Sequence, residues 1–272
     1  MESPTIDARL LLEAAAPVSR AEILADPHRV LDPDAEARLA AFVERRARRE
    51  PVSLILGRKG FWTLMLGVTP GVLTPRPETE SILDVVLPYF APEQAFRVLD
   101  LGVGSGAIVL AILAERPRAT GLGVDVSEDA LAVARDNAAQ LGLVARLALL
   151  RGDWTTGLEG DSFDLVVSNP PYIATAEIEI LAPEVRDYDP RLALDGGSDG
   201  LEAYRRLAPE IMRVLKPGGR FAVEIGAAQS EAVEGLFAAA GAAGVGTHKD
   251  LAGRDRVVAG SKNPLGNAVS NR

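Results

Sequence analysis

The sequence predicts an α/β protein in which a mostly parallel sheet carries helices on both faces and follows a small helical region. Three observations support this. From residue 97 onward, short apolar runs alternate with Ala- and Leu-rich stretches, the pattern of strands buried on both faces and joined by helical crossovers. The first of these runs leads into a turn holding Gly102, Gly104 and Gly106. Before residue 50, helix-start signals recur instead of strand signals. A chain of 272 residues has room for one domain of roughly 200 residues with a smaller companion.

Taken in order, Ser19-Arg20-Ala21-Glu22 has the spacing of a capping box, with the serine accepting from a first-turn N–H and the glutamate reaching back. Asp32 before Pro33 marks a second helix start, because proline at the first helical position loses no needed hydrogen bond. Leu39, Phe42 and Val43 then form an apolar face opposite Arg45, Arg46, Arg48 and Arg49. That arginine run reads either as a solvated helix face or as a patch for an anionic partner. From Pro51 to Thr74, short apolar runs broken by Gly57 and Gly67, namely Val52 to Leu56 and Phe61 to Leu66, suggest a β-hairpin. The stiff Pro75-Arg76-Pro77-Glu78-Thr79-Glu80 loop leads into an amphipathic segment, Ile82 to Tyr89. Strands are expected at Arg97–Leu101, Gly121–Val126, Ala145–Leu150, Phe163–Ser168 and Arg220–Ile225. The divisions expected are a helical recognition domain over 1–50, a hairpin linker over 51–75, a catalytic domain over 76–260 and a disordered polar tail over 261–272.

Composition excludes several chemistries. With no cysteine, the chain has no disulfide framework, thiol nucleophile or thiolate metal site. His28 and His248 are the only histidines and lie far apart, so no metal site is expected. Gly104-Ser105-Gly106, at the first strand-to-helix turn, lacks the G-x-S-x-G spacing of a nucleophile elbow. A formal charge of −9 argues against a dedicated nucleic-acid binder. No run approaches the roughly 18 apolar residues of a membrane span, and the start does not read as a signal peptide. Cytoplasmic residence is therefore the expectation.

The glycine turn, Asp100-Leu101-Gly102-Val103-Gly104-Ser105-Gly106, lets backbone approach a ligand at a strand end. A dinucleotide fingerprint would need a third glycine at position 107, where Ala107 stands. Asp125, about twenty residues on, suits a carboxylate accepting from both ribose hydroxyls. Asp153 and Trp154 follow the third strand, placed to meet an adenine amine and its π face; core packing is the alternative for Trp154. Together these three loops outline an adenosine-shaped pocket. Asn169-Pro170-Pro171-Tyr172 then ends an apolar strand with a backbone stiffened by two prolines. An amide or aromatic amine is a poor nucleophile because its lone pair is delocalised. If Asn169 Oδ1 and the Pro170 carbonyl each accept one N–H of an –NH₂ group, the lone pair can face an incoming methyl, with Tyr172 against the planar group.

On these motifs the sequence resembles class I S-adenosylmethionine-dependent methyltransferases, and more narrowly the HemK/PrmC family of protein-(glutamine N5) methyltransferases. The narrow resemblance rests on Glu50-Pro51-Val52, Gly57, Phe61-Trp62 and Pro75 to Glu80. It continues through Leu194, Gly196 to Leu201, Tyr204-Arg205, Glu224-Ile225-Gly226 with Gln229, and Gly253 to Val257. The chain departs from the family at Asp189-Pro190, where Glu-Pro is usual, and at Lys59-Gly60. The resemblance implies a Rossmann-like sheet of seven strands with an antiparallel last strand, an N-terminal helical domain and a hairpin linker. It also implies methyl transfer to the glutamine amide of the Gly-Gly-Gln loop of class 1 peptide chain release factors, leaving S-adenosylhomocysteine. Gly102, Val103, Gly104, Ser105, Gly106, Asp125, Asp153, Trp154 and Asn169 would bind cofactor. Asn169, Pro170, Pro171 and Tyr172 would receive the glutamine, in a monomer that needs neither metal, membrane nor nucleic acid.

Two other substrates suit the same motif. One is a ribosomal-protein glutamine; the other is the N6 amine of adenine in DNA, for which the sequence shows no recognition region. A cofactor-binding module without catalysis, or a dehydrogenase, fits less well, given Asn169 to Tyr172 and the glycine spacing.

Overall fold

A computed structural model describes residues 4–264. The chain begins with three helices, α1 (Pro4–Ala15), α2 (Arg20–Ala25) and α3 (Pro33–Ala47). Both expected caps form: Ser19 and Glu22 make a reciprocal capping box, and Asp32 accepts from Ala35 N at 2.8 Å. Ala16, Val18 and Ala35 close a small core with Leu12, Ile23 and Leu31.

The expected hairpin forms, but over a shorter span. Val52–Leu56 is a one-turn helix, α4, that stops at Gly57, and the hairpin pairs β1 (Arg58–Phe61) with β2 (Leu64–Gly67). A five-residue apolar run fits strand and helix alike. Here, helix formation turns Leu54 and Ile55 inward, to 7% and 5% exposure. The amphipathic segment forms α5 (Ser81–Val86) and a 3₁₀ turn at Leu87–Tyr89.

The remainder alternates as expected: β3 (Arg97–Leu101), α6 (Ala107–Glu115), β4 (Thr120–Asp125), α7 (Glu128–Gln140), β5 (Leu147–Arg151) and β6 (Phe163–Ser168). After a long connection containing α8 (Pro183–Arg186) come α9 (Glu202–Val214), β7 (Leu215–Glu224), α10 (Ser230–Ala239), β8 (Ala242–Lys249) and β9 (Asp255–Lys262). The expected third strand starts two residues late, because Val144–Arg146 is a 3₁₀ turn, and the fifth starts earlier, at Leu215. The sheet order is β5-β4-β3-β6-β7-β9-β8; β3 to β7 are parallel, and β9 is antiparallel to both neighbours. Ser261 and Lys262 lie in β9 and pair with β7 and β8, so the expected disordered tail begins too early. Residues 265–272 of that expectation lie outside the described residues.

Successive strand residues enter opposite cores. Val98, Leu165, Ala222 and Val257 pack on one face with α5 and α6, whereas Leu99, Val166, Val223 and Val258 pack on the other with Tyr204, Leu207 and Ile211 of α9. Each of these side chains is at most 1% exposed, and full burial of a Val or Leu contributes about 1.5–3 kcal/mol. Among the described residues no helix is long and apolar enough to cross a membrane.

Candidate active site

The chain leaves β3 toward β4 on one side, while β6 lies on the other. This is the switch point of the parallel sheet, where the carboxyl ends of the strands open a crevice. The glycine turn after β3 and Asn169 after β6 stand on its two sides. A cavity of about 390 Å³ occupies the crevice, within the usual range for small-molecule sites, about 300–1,000 Å³.

Gly102, Gly104 and Gly106 all take positive φ, of 72°, 54° and 84°, a conformation open to glycine. At Gly106 a Cβ would also meet Leu110 Cδ1 at 2.8 Å. The turn is tied down from two directions. Gly102 and Val103 N–H donate to the Val124 carbonyl at 2.9 and 3.0 Å, and Gly104 N donates to Asp125 Oδ2 at 2.9 Å. Asp125 Oδ1 accepts from Ser127 N at 2.9 Å, so its carboxylate is fixed at the cavity wall with lone pairs to spare. Trp154, held at φ 51°, lines the cavity and lies 3.7 Å from where a Gly102 Cβ would be. It also packs against the core beneath α9. Asp153 lines the cavity too, but accepts from Arg206 Nη2 at 2.8 Å.

Asn169 and Pro171 line the same cavity; Pro170 is buried, and neither it nor Tyr172 nor Gly106 reaches the lining. Asn169 Nδ2 donates to Thr79 Oγ1 at 3.2 Å. Nothing among the described residues donates to Asn169 Oδ1 or to the Pro170 carbonyl. The Tyr172 hydroxyl donates to Glu224 Oε1 at 3.2 Å, and burial pushes its pKa up. Glu224 is 1% exposed, and burial raises its pKa to about 7. Ser168 Oγ donates to the Leu101 carbonyl at 2.7 Å, locking the ends of β6 and β3 together.

Several residues here had no role assigned from sequence. Arg76 and Thr79 of the proline-rich loop line the cavity. Arg76 pairs with Asp189, which also accepts from Thr74 N at 3.4 Å; burial raises the Asp189 pKa against the pull of Arg76. The shorter acid in the Asp189-Pro190 departure thus sits against that loop. Asn137, 1% exposed, accepts from Gly67 N at 2.7 Å and donates to the carbonyls of Gly67 and Ser105, joining the hairpin to the glycine turn. Three side chains of the arginine run, those of Arg45, Arg46 and Arg49, are engaged within the chain. Arg46 bonds Asp7 at 2.8 Å and Glu184 at 3.1 Å, and Arg49 bonds Glu184 at 2.7 Å. Tyr188 donates to the Arg48 carbonyl at 2.8 Å. The run fastens α3 to the segment between β6 and α9 that covers the cavity.

The donor set suits a neutral or cationic nucleoside ligand: a ribose-spacing carboxylate, an indole wall and a glycine turn that brings backbone close. Among the described residues no three His, Cys, Asp or Glu are grouped to hold a metal ion.

Residues 92–245 match a family model described as a methyltransferase domain, and residues 1–57 match one described as the PrmC N-terminal domain. The chain is 66% identical over 265 residues to the release factor glutamine methyltransferase of Caulobacter vibrioides, covering 97% of this chain and 92% of the relative. It is 48% identical over 255 residues to the protein of the same name from Cereibacter sphaeroides, covering 93% and 89%. Among solved structures, a methyltransferase from Pyrococcus furiosus superposes with a TM-score of 0.54 at 19% identity, covering 84% of this chain and 99% of that one; this likeness concerns the fold.

Proposed function

Since the chain belongs to the release factor glutamine methyltransferases, we propose that it methylates the side-chain amide nitrogen of the glutamine in the Gly-Gly-Gln loop of class 1 peptide chain release factors. The cofactor of this family, S-adenosylmethionine, supplies a methyl group already activated by its sulfonium. The work left to the protein is to bind, orient and desolvate.

In this reading Asp125 accepts from the ribose hydroxyls, its two oxygens held by Gly104 N and Ser127 N. Trp154 and Val103 flank the base, and the backbone of Gly102 to Gly106 approaches the amino-acid end. Asp153, bonded to Arg206, faces the adenine side of the same wall. Asn169 is the observation that carries the proposal. It is a side-chain amide at the cavity wall whose nitrogen is taken by Thr79 and whose oxygen has no donor, so it can accept an N–H of the substrate amide. The Pro170 carbonyl would accept the other. The two acceptors would turn the substrate nitrogen's lone pair toward the sulfonium methyl. Pro171 lines the approach. Tyr172, which does not line the cavity, supports the motif from behind through Glu224. Action on translation factors would place the enzyme in the cytoplasm.

The test is incubation with labelled S-adenosylmethionine and, separately, a release factor, the same factor with its loop glutamine replaced, ribosomal protein and duplex DNA. Label on the intact release factor alone is expected. Label on ribosomal protein or DNA but not on the release factor would overturn the assignment.

A further inference from the structure

The part of the cavity wall that lies between β6 and α9 is held by polar contacts more than by a core. From residue 174 to residue 195 the buried apolar side chains are Ile178 and Leu194, and neither joins the two cores of the sheet. Ile180 and Leu192 are exposed. A segment with so little buried apolar surface opens locally at low cost. Pro190, Leu192, Ala193 and Asp195 of this stretch nevertheless line the cavity together with the glycine turn and Asp125.

Three anchors fix the stretch. At its end, Ile173 N donates to the Leu194 carbonyl at 3.0 Å and Gly196 N to the Ile173 carbonyl at 2.8 Å. In its middle, Asp189 pairs with Arg76, and its N–H donates to the Val185 carbonyl at 3.0 Å, which ties it to α8. The third anchor comes from the N-terminal helices. Glu184 of α8 accepts from Arg46 Nη2 at 3.1 Å through Oε1 and from Arg49 Nη2 at 2.7 Å through Oε2. Arg46 is held to α1 in turn by Asp7, at 2.8 Å. Arg49 has a φ of +70°, uncommon for a residue with a Cβ, and such a conformation persists where its surroundings fix it. The Tyr188 hydroxyl adds a bond to the Arg48 carbonyl.

We propose that Arg46, Arg49 and Glu184 are positioning residues that form a latch, through which the N-terminal helices hold the wall over residues 184–195 closed and set how long the cofactor stays bound. A half-buried carboxylate with one charged hydrogen bond on each oxygen is a stronger tie than an exposed ion pair. Without it the anchors at Asp189 and Ile173 remain. The wall then stays closed most of the time but opens more often. Opening lets ligand in as well as out, so both rates rise together, while the affinity follows the closed majority and hardly changes. The inference rests on the cavity as the cofactor site and is independent of which amide is methylated.

Amide hydrogen exchange of the free full-length protein, read by mass spectrometry, tests the latch. In Glu184→Ala, peptides over 183–195 should exchange about tenfold to 100-fold faster than in the wild type, and peptides of β3 and β6 at the wild-type rate. Arg49→Ala, which removes one of the two bonds, should give a smaller increase in the same peptides. The double variant should match Glu184→Ala within about twofold, because both changes act on one contact. In stopped-flow binding of S-adenosylhomocysteine, Glu184→Ala should raise the association and dissociation rates by a similar factor and change Kd by less than about threefold. Wild-type exchange over 183–195 in Glu184→Ala, equal acceleration in β3 and β6, additive effects in the double variant, or an unchanged dissociation rate would each overturn the proposal. Failure of the wild-type protein to bind S-adenosylhomocysteine would count against the cofactor site alone, since the exchange is read without ligand.

Discussion

Gly200 is the residue on which the backbone of Asn169 to Tyr172 rests, and Gly200→Ala is the perturbation that shows it. Its φ is +73°, and an added Cβ would lie 2.4 Å from the Tyr172 carbonyl oxygen and 2.7 Å from Gln229 Nε2. Gln229 Nε2 donates to the carbonyls of Tyr172 and Gly200, at 3.0 and 3.2 Å. The left-handed conformation costs an alanine about 1–2 kcal/mol. Losing the two hydrogen bonds costs about 1 kcal/mol each, and relieving the overlap costs about 1–3 kcal/mol. The combined loss is about 4–7 kcal/mol, which at about 2–4 °C per kcal/mol lowers Tm by roughly 8–28 °C. Gly253 provides the control: its φ is +77° with nothing within 4 Å of the added Cβ, so Gly253→Ala should lose only the conformational part. Thermal unfolding followed by far-UV circular dichroism measures both. A Gly200→Ala protein that melts with the Gly253→Ala protein would refute the packing argument.

Three further outcomes follow from the site. Asp125→Ala removes the acceptor for Gly104 N and Ser127 N as well as the proposed ribose contact; by calorimetry, cofactor Kd should rise about 10- to 100-fold, and an unchanged Kd would show that the ribose assignment is wrong. Asn169→Ala should bind cofactor nearly as the parent does but lose about 100-fold or more in transfer; undiminished turnover would sink its proposed role. Asp100 has its pKa raised to about 8, chiefly by burial against the opposing Val109 N–H, with the Asp125 charge adding. The folded state holds a proton that the unfolded chain, with its pKa near the model-peptide value of about 3.9, releases. Stability therefore falls as pH rises from about 4 to about 8. Asp100→Asn should match the wild type near pH 4 and exceed it near pH 8 in denaturant unfolding; parallel curves at both values would disprove this.

Much of this architecture is legible in the sequence because its signals are local. The Ser19–Glu22 and Asp32–Pro33 caps depend on residues three apart, and the pattern of Val98/Leu99 or Leu165/Val166 depends on strand alternation. The glycine turn, Asp125, Trp154 and Asn169 each follow a strand in sequence, and strand ends gather at one edge of a parallel sheet. What escaped is held by distant partners. The arginine run looks like a surface until Glu184, 135 or more positions away, is brought to it. Asn137 gives no sign that it bridges Gly67 to Ser105, and Thr79 gives none that it meets Asn169. Val52–Leu56 fits helix and strand alike, and burial of Leu54 and Ile55 decided between them.

The most direct measurement is tandem mass spectrometry of a release factor after incubation with the enzyme and S-adenosylmethionine. One methyl group on the side-chain amide of the Gly-Gly-Gln glutamine is the expected product, and it should be absent when Asn169→Ala replaces the wild-type enzyme. A methyl group on any other residue, or an unmodified loop beside wild-type enzyme shown to bind cofactor, would contradict the assignment.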